Sequence, residues 1–261
     1  MMLKNKIAVV TGAGRGIGQG IALHLAEEGA KVALIGRSEK TLAETRDKIV
    51  AAGGVATIHL ASVSDEAAVE AAIDSILQAH GKIDILVNNA GIVHEADFLD
   101  ITYQSWLEVV GTDLNGTFLM TQRVARRIQN TGGGAIVNIA SIDANGYDGP
   151  QAAYSAAKAA VVCLTKNNAK DFGHLNIRVN SVSPGWTLTP MIEEFVSTEA
   201  LDYMKNRFDR VPMKRLVKIK EVAEAVGFLA SDRASGISGI DLPVDCGTLA
   251  TLYVYESLPK A

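Results

Sequence analysis

Three polar side chains in the middle of the chain have types and spacing suited to moving a proton at a carbon–oxygen bond: Ser141, Tyr154 and Lys158. Tyr154-Ser155-Ala156-Ala157-Lys158 lies in an Ala-rich stretch of helical character. Residues i and i+4 share one helical face with Cβ atoms about 5–6 Å apart, so the Lys158 ammonium is placed beside the Tyr154 phenol, where a cation favours phenolate. A phenol that titrates near pH 10 must fall by about three units to exchange protons near neutrality, which takes roughly 4 kcal/mol of preferential phenolate stabilisation. Ser141 follows the apolar run 134–140, a strand that would present its hydroxyl to a substrate oxygen.

A second cluster lies near the start. Thr11-Gly12-Ala13-Gly14-Arg15-Gly16-Ile17-Gly18 fits G-x-x-x-G-x-G through Gly12, Gly16 and Gly18, and does not fit G-x-G-x-x-G. It follows the β-branched run Lys6–Thr11 and precedes an Ala/Leu/Ile pattern at helical spacing that ends at Glu28-Gly29. Glycines there permit positive φ and let the backbone approach a pyrophosphate, whose charge suits the free N–H groups of the following helix. A bare strand-to-helix turn is the alternative, but four glycines within residues 12–18 favour the phosphate cradle. In such a unit a carboxylate about 20 residues on would hold the ribose 2′-hydroxyl of NAD. Here that strand ends Leu34-Ile35-Gly36-Arg37-Ser38. Arg37, converging with Arg15, suits a 2′-phosphate, which favours NADP and leaves NAD possible.

These groups must be held by a larger frame. Apolar strand runs near 31–36, 55–60, 83–88, 134–140, 176–183 and 240–245 alternate with helical stretches near 39–52, 65–80, 103–130, 153–173 and 218–231. Continuous apolar strands separated by long helices predict parallel pairing through right-handed crossovers, with both sheet faces covered. The expected fold is a single-domain, doubly wound (Rossmann) α/β unit over 1–261, with a seven-stranded parallel sheet and an irregular substrate lid at 186–217. Its loops beyond the carboxyl ends of the strands are where ligands belong.

Composition narrows the rest. Lys plus Arg number 25 against 29 Asp plus Glu, a net charge of −4, which offers no basic face for nucleic acid. No run reaches the length of a membrane span, and the start Met1-Met2-Leu3-Lys4-Asn5-Lys6 lacks the apolar core of a secretion signal, so a cytoplasmic location is expected. Cys163 and Cys246 are expected as buried thiols rather than a disulfide, and histidines 24, 59, 80, 94 and 174 lack ligand spacing, so no metal is expected.

Taken in order, the glycine loop, Asn88-Asn89-Ala90-Gly91, Ser141 thirteen residues before Tyr154, Lys158, and Ser183-Pro184-Gly185-Trp186-Thr187-Leu188-Thr189-Pro190 resemble the short-chain dehydrogenase/reductase family over nearly the whole chain. The resemblance implies that Tyr154 donates or accepts the proton, that Ser141 positions the carbonyl or alcohol, and that Lys158 lowers the tyrosine pKa, helped by an oxidised nicotinamide, and binds the nicotinamide ribose. It implies that Asn89 and Gly91 line the cofactor, and that Gly185, Thr187 and Thr189 flank the nicotinamide amide and diphosphate, with Ile17, Val63, Ala90 and Pro184 beside them. It also implies a homotetramer or homodimer built on helices 103–130 and 153–173, with a second interface from Leu249–Leu258, which carries Tyr253 and Tyr255.

Three positions depart from the family pattern. Asp113, in Asp113-Leu114-Asn115-Gly116, stands where the family's catalytic tetrad has Asn; it serves a proton relay toward Lys158, or Asn115 has taken over, or turnover is slow. Ser62 replaces a common Asp at the adenine, and Cys246 interrupts a Val-Asp-Gly-Gly ending. Around Tyr154, the polar residues His94, Asp143, Asn145, Tyr147 and Gln151, with Trp186, predict a small hydroxylated substrate such as a sugar, polyol or hydroxy acid. A 3-oxoacyl-[acyl-carrier-protein] reductase is the alternative, although Gly132-Gly133-Gly134 and Leu175 stand where the resemblance implies basic residues for the acidic carrier. A non-catalytic nucleotide-sensing protein on the same fold is the third reading.

Overall fold

The structure, a computed structural model, describes residues 1–146 and 149–250. The first half alternates strictly: β1 (Ile7–Thr11), α1 (Gly16–Glu27), β2 (Lys31–Gly36), α2 (Glu39–Ala51), β3 (Val55–Leu60), α3 (Glu66–His80) and β4 (Ile85–Asn88). Then come α4 (Tyr103–Val109), α5 (Gly116–Ile128), β5 (Gly134–Ile139), α6 (Ala152–Phe172) and β6 (Ile177–Pro184). The last part holds β7 (Thr187–Leu188), α7 (Pro190–Phe195), α8 (Thr198–Asn206), β8 (Val217–Lys218), α9 (Ile219–Ala230) and β9 (Asp241–Val244).

Seven strands form one sheet in the order β3-β2-β1-β4-β5-β6-β9, and its adjacent pairs run parallel. Successive strand residues point to opposite faces, so a strand buried on both sides must be apolar at every position. Ala8 and Val10 of β1 accordingly meet Ile21 and Leu25 of α1 and Val226 of α9 in one core layer. Val9 turns the other way, into the layer that holds Ile73 of α3 and Val124 of α5.

Two expectations needed revision. The helix expected over 103–130 is broken by a π-helical turn, Val110–Asn115, between α4 and α5. An inserted residue of this kind widens the turn, a feature frequent at functional sites. Here it carries Asp113 into the interior, where the residue is 0% exposed. Cys163 and Cys246 are free thiols, but Cys163 is exposed on α6 and Cys246 is half-buried; in α6, the buried face instead holds Ala153, Ala157, Lys158, Val161 and Thr165.

Segment 186–217 is ordered by its own chemistry. Thr189 caps α7, with Pro190 in its first turn, and Ser197 caps α8. Met204, Phe208, Val211 and Leu216 form a small core against Trp186 and Leu188, with the Trp186 and Phe208 rings edge-on at 5.9 Å. The pairing of β7 with β8 ties this unit's two ends together. Among the described residues no helix is long and apolar enough to cross a membrane. Tyr147 and the apolar tail from residue 251 onward, including Tyr253 and Tyr255, lie outside the described residues.

Candidate active site

The strand order reverses between β1 and β4, and a crevice opens beyond their carboxyl ends. The glycine loop leaves β1 and Asn89-Ala90-Gly91 leaves β4. The Thr11 hydroxyl joins them, accepting from the N–H groups of Asn89 and Ala90 at 2.9 and 3.0 Å. The Asn89 amide in turn donates to the carbonyls of Thr11 and Gly12 at 3.0 and 3.3 Å. Gly12 has φ +64°, and a Cβ there would sit 2.9 Å from the Ala90 Cα. From behind, Thr45 donates to the Ala13 carbonyl at 3.0 Å and Gln19 to the Gly14 carbonyl at 3.3 Å. These bonds, with the Ala13 N–H donating to the Ile35 carbonyl at 3.2 Å, fix the loop at the mouth of the crevice.

The crevice suits a dinucleotide on its own terms. The N-terminus of α1 has no side-chain cap at Arg15, so its first N–H groups are open to an anion. Arg15 and Arg37 are both exposed, one opening α1 and the other directly after β2. Val63 is buried, and Ser62 hydrogen-bonds to the Ser64 hydroxyl at 2.9 Å. Pro184 ends β6; beyond it the Thr187 hydroxyl donates to the Gly185 carbonyl at 2.8 Å. Thr189 reaches back across the crevice, its methyl 4.0 Å from where a Cβ on Gly16 would lie. Ile17 is half-buried against the core layer of α1 and α9.

At the carboxyl end of β5, Ser141 meets α6. Lys158 and Tyr154, one turn apart, place the ammonium 5.4 Å from the phenol ring centroid. Lys158 is 4% exposed and is fixed from two further sides. It donates to the Ile139 carbonyl at 3.0 Å and stands 3.2 Å from Oδ2 of Asp113. The other carboxylate oxygen of Asp113 accepts the Ile92 N–H at 2.8 Å. Both groups against this carboxyl are donors, which favours its carboxylate form against the cost of burial. Gly91 is what allows this packing, since a Cβ there would lie 2.7 Å from Asp113 Oδ2 and 3.3 Å from Lys158 Nζ. Asn115 lies exposed, so the reading in which it replaces Asp113 fails: the π turn points Asp113 inward instead.

The expectation of a lowered phenol drew on Lys158 together with an oxidised nicotinamide; the protein's own groups weigh the other way. Burial pushes the Tyr154 phenol above its ordinary value; Lys158 and a hydrogen bond with Ser141 pull it back, while Asp113 and Asp143 add to the rise. The phenol is therefore less acidic than usual, not more. Burial would lower the Lys158 ammonium, but Asp113 and Tyr154 together more than reverse this and raise it above its ordinary value. For Asp113, burial raises the carboxyl against the pull of Lys158 and the Ile92 N–H.

Of the residues expected at the substrate, Asp143 and Gln151 join the site. Ser141 donates to Oδ2 of Asp143 at 3.2 Å, and the Gln151 amide donates to the same oxygen at 3.0 Å. Gln151 also lines a cleft of about 570 Å³ with Ala96, Phe98 and Ser155. Asn145 lies in a different cleft of about 560 Å³, beside Lys166 and Asp241. His94 stands 3.4 Å from Glu108 of α4, and Trp186 packs in the core of segment 186–217. Sequence reasoning missed Thr11, Thr45 and a buried amide chain in which Asn88 donates to Asn138 and Thr121 at 2.8 and 2.9 Å, and Asn138 to Thr165 at 2.9 Å. The signal was present: Asn88 and Asn138 are amides within strands that are otherwise apolar. Among the described residues no group of His, Cys, Asp and Glu side chains is arranged to hold a metal ion.

This geometry has close relatives. A family profile described as enoyl-(acyl-carrier-protein) reductase matches residues 12–248. A 3-oxoacyl-[acyl-carrier-protein] reductase of Thermotoga maritima is 34% identical over 248 residues, covering 95% of this chain and 99% of its own. An uncharacterised oxidoreductase of Bacillus subtilis, YxbG, is 38% identical over 262 residues, covering 95% of this chain and 92% of its own. Among solved structures, levodione reductase superimposes with a TM-score of 0.89 at 33% identity, covering 96% of this chain and 100% of that one.

Proposed function

Because the chain belongs to the short-chain dehydrogenase/reductase family, we propose that it interconverts a carbonyl and a secondary alcohol on a small, hydroxyl-bearing substrate, with NADP(H) preferred over NAD(H). Membership carries the general activity: nicotinamide-dependent oxidation and reduction at CH–OH and C=O groups. The finer assignments rest on the residues of the site.

When bound, the dinucleotide supplies or receives the hydride. Tyr154 gives its proton to the substrate oxygen in reduction and takes it back in oxidation. Ser141, whose hydroxyl now rests on Asp143, turns its single donor to the same oxygen. Lys158 is anchored by the Ile139 carbonyl and Asp113, keeps a cation beside the phenol, and faces the nicotinamide ribose. Arg15 and Arg37 receive the 2′-phosphate; the uncapped end of α1 receives the pyrophosphate. Segment 186–217 closes over the substrate.

The observation that carries this reading is the convergence of Ser141, Tyr154 and Lys158 at the end of β5, next to the glycine-loop crevice. The Asp143–Gln151 pair beside Ser141 supplies an acceptor and a donor for hydroxyls next to the reacting carbon, which supports a polar substrate. The second reading, reduction of 3-oxoacyl thioesters, draws on the activity named for the Thermotoga maritima relative. We place the enzyme in the cytoplasm as a single domain that works as a dimer or tetramer; Phe98, Leu99, Tyr103 and Leu107 form an exposed apolar face at and before α4 that supports association.

The test follows nicotinamide absorbance with NADP(H) and NAD(H) against ketoses, polyols, hydroxy acids and acyl thioesters. Steady turnover of the hydroxylated compounds, faster with NADP(H), is the expected result. Turnover of thioesters alone supports the second reading, and cofactor binding with no turnover of any substrate class overturns both in favour of a sensing protein.

A further inference from the structure

We propose that Asp113 is a positioning residue that sets the proton affinity of Tyr154: by ion-pairing with Lys158 inside the protein it cancels much of the cation that would otherwise stabilise phenolate, and so keeps Tyr154 protonated through neutral pH as a proton donor for carbonyl reduction. This rests on the reading of Tyr154 as the proton carrier.

The geometry leaves little freedom for another role. The π turn buries Asp113 completely and brings Oδ2 to 3.2 Å from Lys158 Nζ. The Ile92 N–H holds Oδ1 at 2.8 Å, and the Thr117 hydroxyl donates to the Asp113 carbonyl at 2.7 Å, so both side chain and main chain are clamped. Lys158 cannot turn away either, because the Ile139 carbonyl accepts from it at 3.0 Å. An amide at position 113 would carry no charge and would leave the whole ammonium charge to the phenol. A buried pair is screened far less than one in water, so removing one charge from it is felt strongly at a neighbouring ionisable group.

The charged groups acting on the phenol come from three elements. Lys158 stands one turn along α6, Asp113 comes from the π turn, and Asp143 comes from the segment after β5; Ser141 adds a hydrogen bond. The group facing Asp113 itself is Lys158, with the Ile92 N–H. One carboxylate, Asp113, thus pairs with the ammonium, and both Asp113 and Asp143 oppose ionisation of Tyr154. In the oxidative direction, where Tyr154 must act as a base, the same arrangement moves the working range to higher pH.

The experiment is an ultraviolet difference titration of the ligand-free protein, with Tyr154→Phe subtracted so that only the Tyr154 tyrosinate is read. In Asp113→Asn the Tyr154 midpoint is expected to fall by about one pH unit or more. The acid limb of kcat/KM for alcohol oxidation is expected to fall with it. Asp113→Ala removes the charge without setting an amide against the ammonium and is expected to shift the midpoint in the same direction; thermal melting confirms that each variant is folded. An unchanged or raised midpoint in both folded variants overturns the inference. The failure of the underlying reading looks different: Tyr154→Phe would then retain turnover, whatever the titration gives.

Discussion

Lys158→Met leaves a carboxylate buried with no counter-charge, and the cost can be worked from the site. Asp113 is 0% exposed, and among the described residues its Oδ2 is paired with the Lys158 ammonium at 3.2 Å. Removing one member of a buried ion pair costs about 3–5 kcal/mol. At about 2–4 °C per kcal/mol for a domain of this size, the melting temperature should drop by about 6–20 °C. The double variant Asp113→Leu/Lys158→Met replaces the pair with apolar groups of similar volume and should recover most of that loss. In Lys158→Met the lone carboxyl has a folded-state pKa raised above its unfolded value. The native state then binds the extra proton, so stability falls as pH rises through the folded pKa and is regained as pH falls. Urea denaturation of wild type and both variants at about pH 8 and about pH 5 measures this, with the single variant's deficit shrinking at the lower pH. A Lys158→Met protein as stable as wild type, or a double variant no better than the single, would refute the claim that Asp113 is a buried carboxylate held by Lys158.

Gly91→Ala presses a methyl group against Asp113 and Lys158, where a Cβ would lie 2.7 Å from Oδ2; a stability loss of about 1–3 kcal/mol, read by urea denaturation, is expected together with lost turnover. Arg37→Asp should weaken NADPH binding by about 10–100-fold while leaving NADH binding unchanged or improved, as checked by fluorescence titration with each cofactor. Asn138→Ala removes two buried hydrogen bonds, one accepted from the Asn88 amide and one donated to the Thr165 hydroxyl, and calorimetric or urea unfolding should show a loss of about 1–3 kcal/mol.

The frame was legible because a parallel sheet covered on both faces writes itself as apolar runs. β2 and β3 fall at 31–36 and 55–60, where the sequence places them, and β1 leads into the glycine loop. The i,i+4 spacing of Tyr154 and Lys158 was enough to predict their juxtaposition. What could not be read was the effect of residues distant in sequence. Asp113 lies 45 positions before Lys158, and a helical period over 103–130 gives no sign that one extra residue is accommodated in a π turn. The expectation of an acidic phenol counted the cation on the same helix and an oxidised nicotinamide, and not the two carboxylates brought up by other elements. The brace behind the glycine loop, from Thr45 and Gln19, was likewise hidden, because polar residues on α1 and α2 look like solvated helix faces until the helices are docked.

The most direct measurement is the turnover of Tyr154→Phe with NADPH and the best carbonyl substrate from the panel. Loss of the Tyr154 proton should cut kcat by about 10²–10⁴-fold while NADPH still binds as it does to wild type. Turnover within a few-fold of wild type would mean that the proton comes from another group, and that the site does not work through Tyr154.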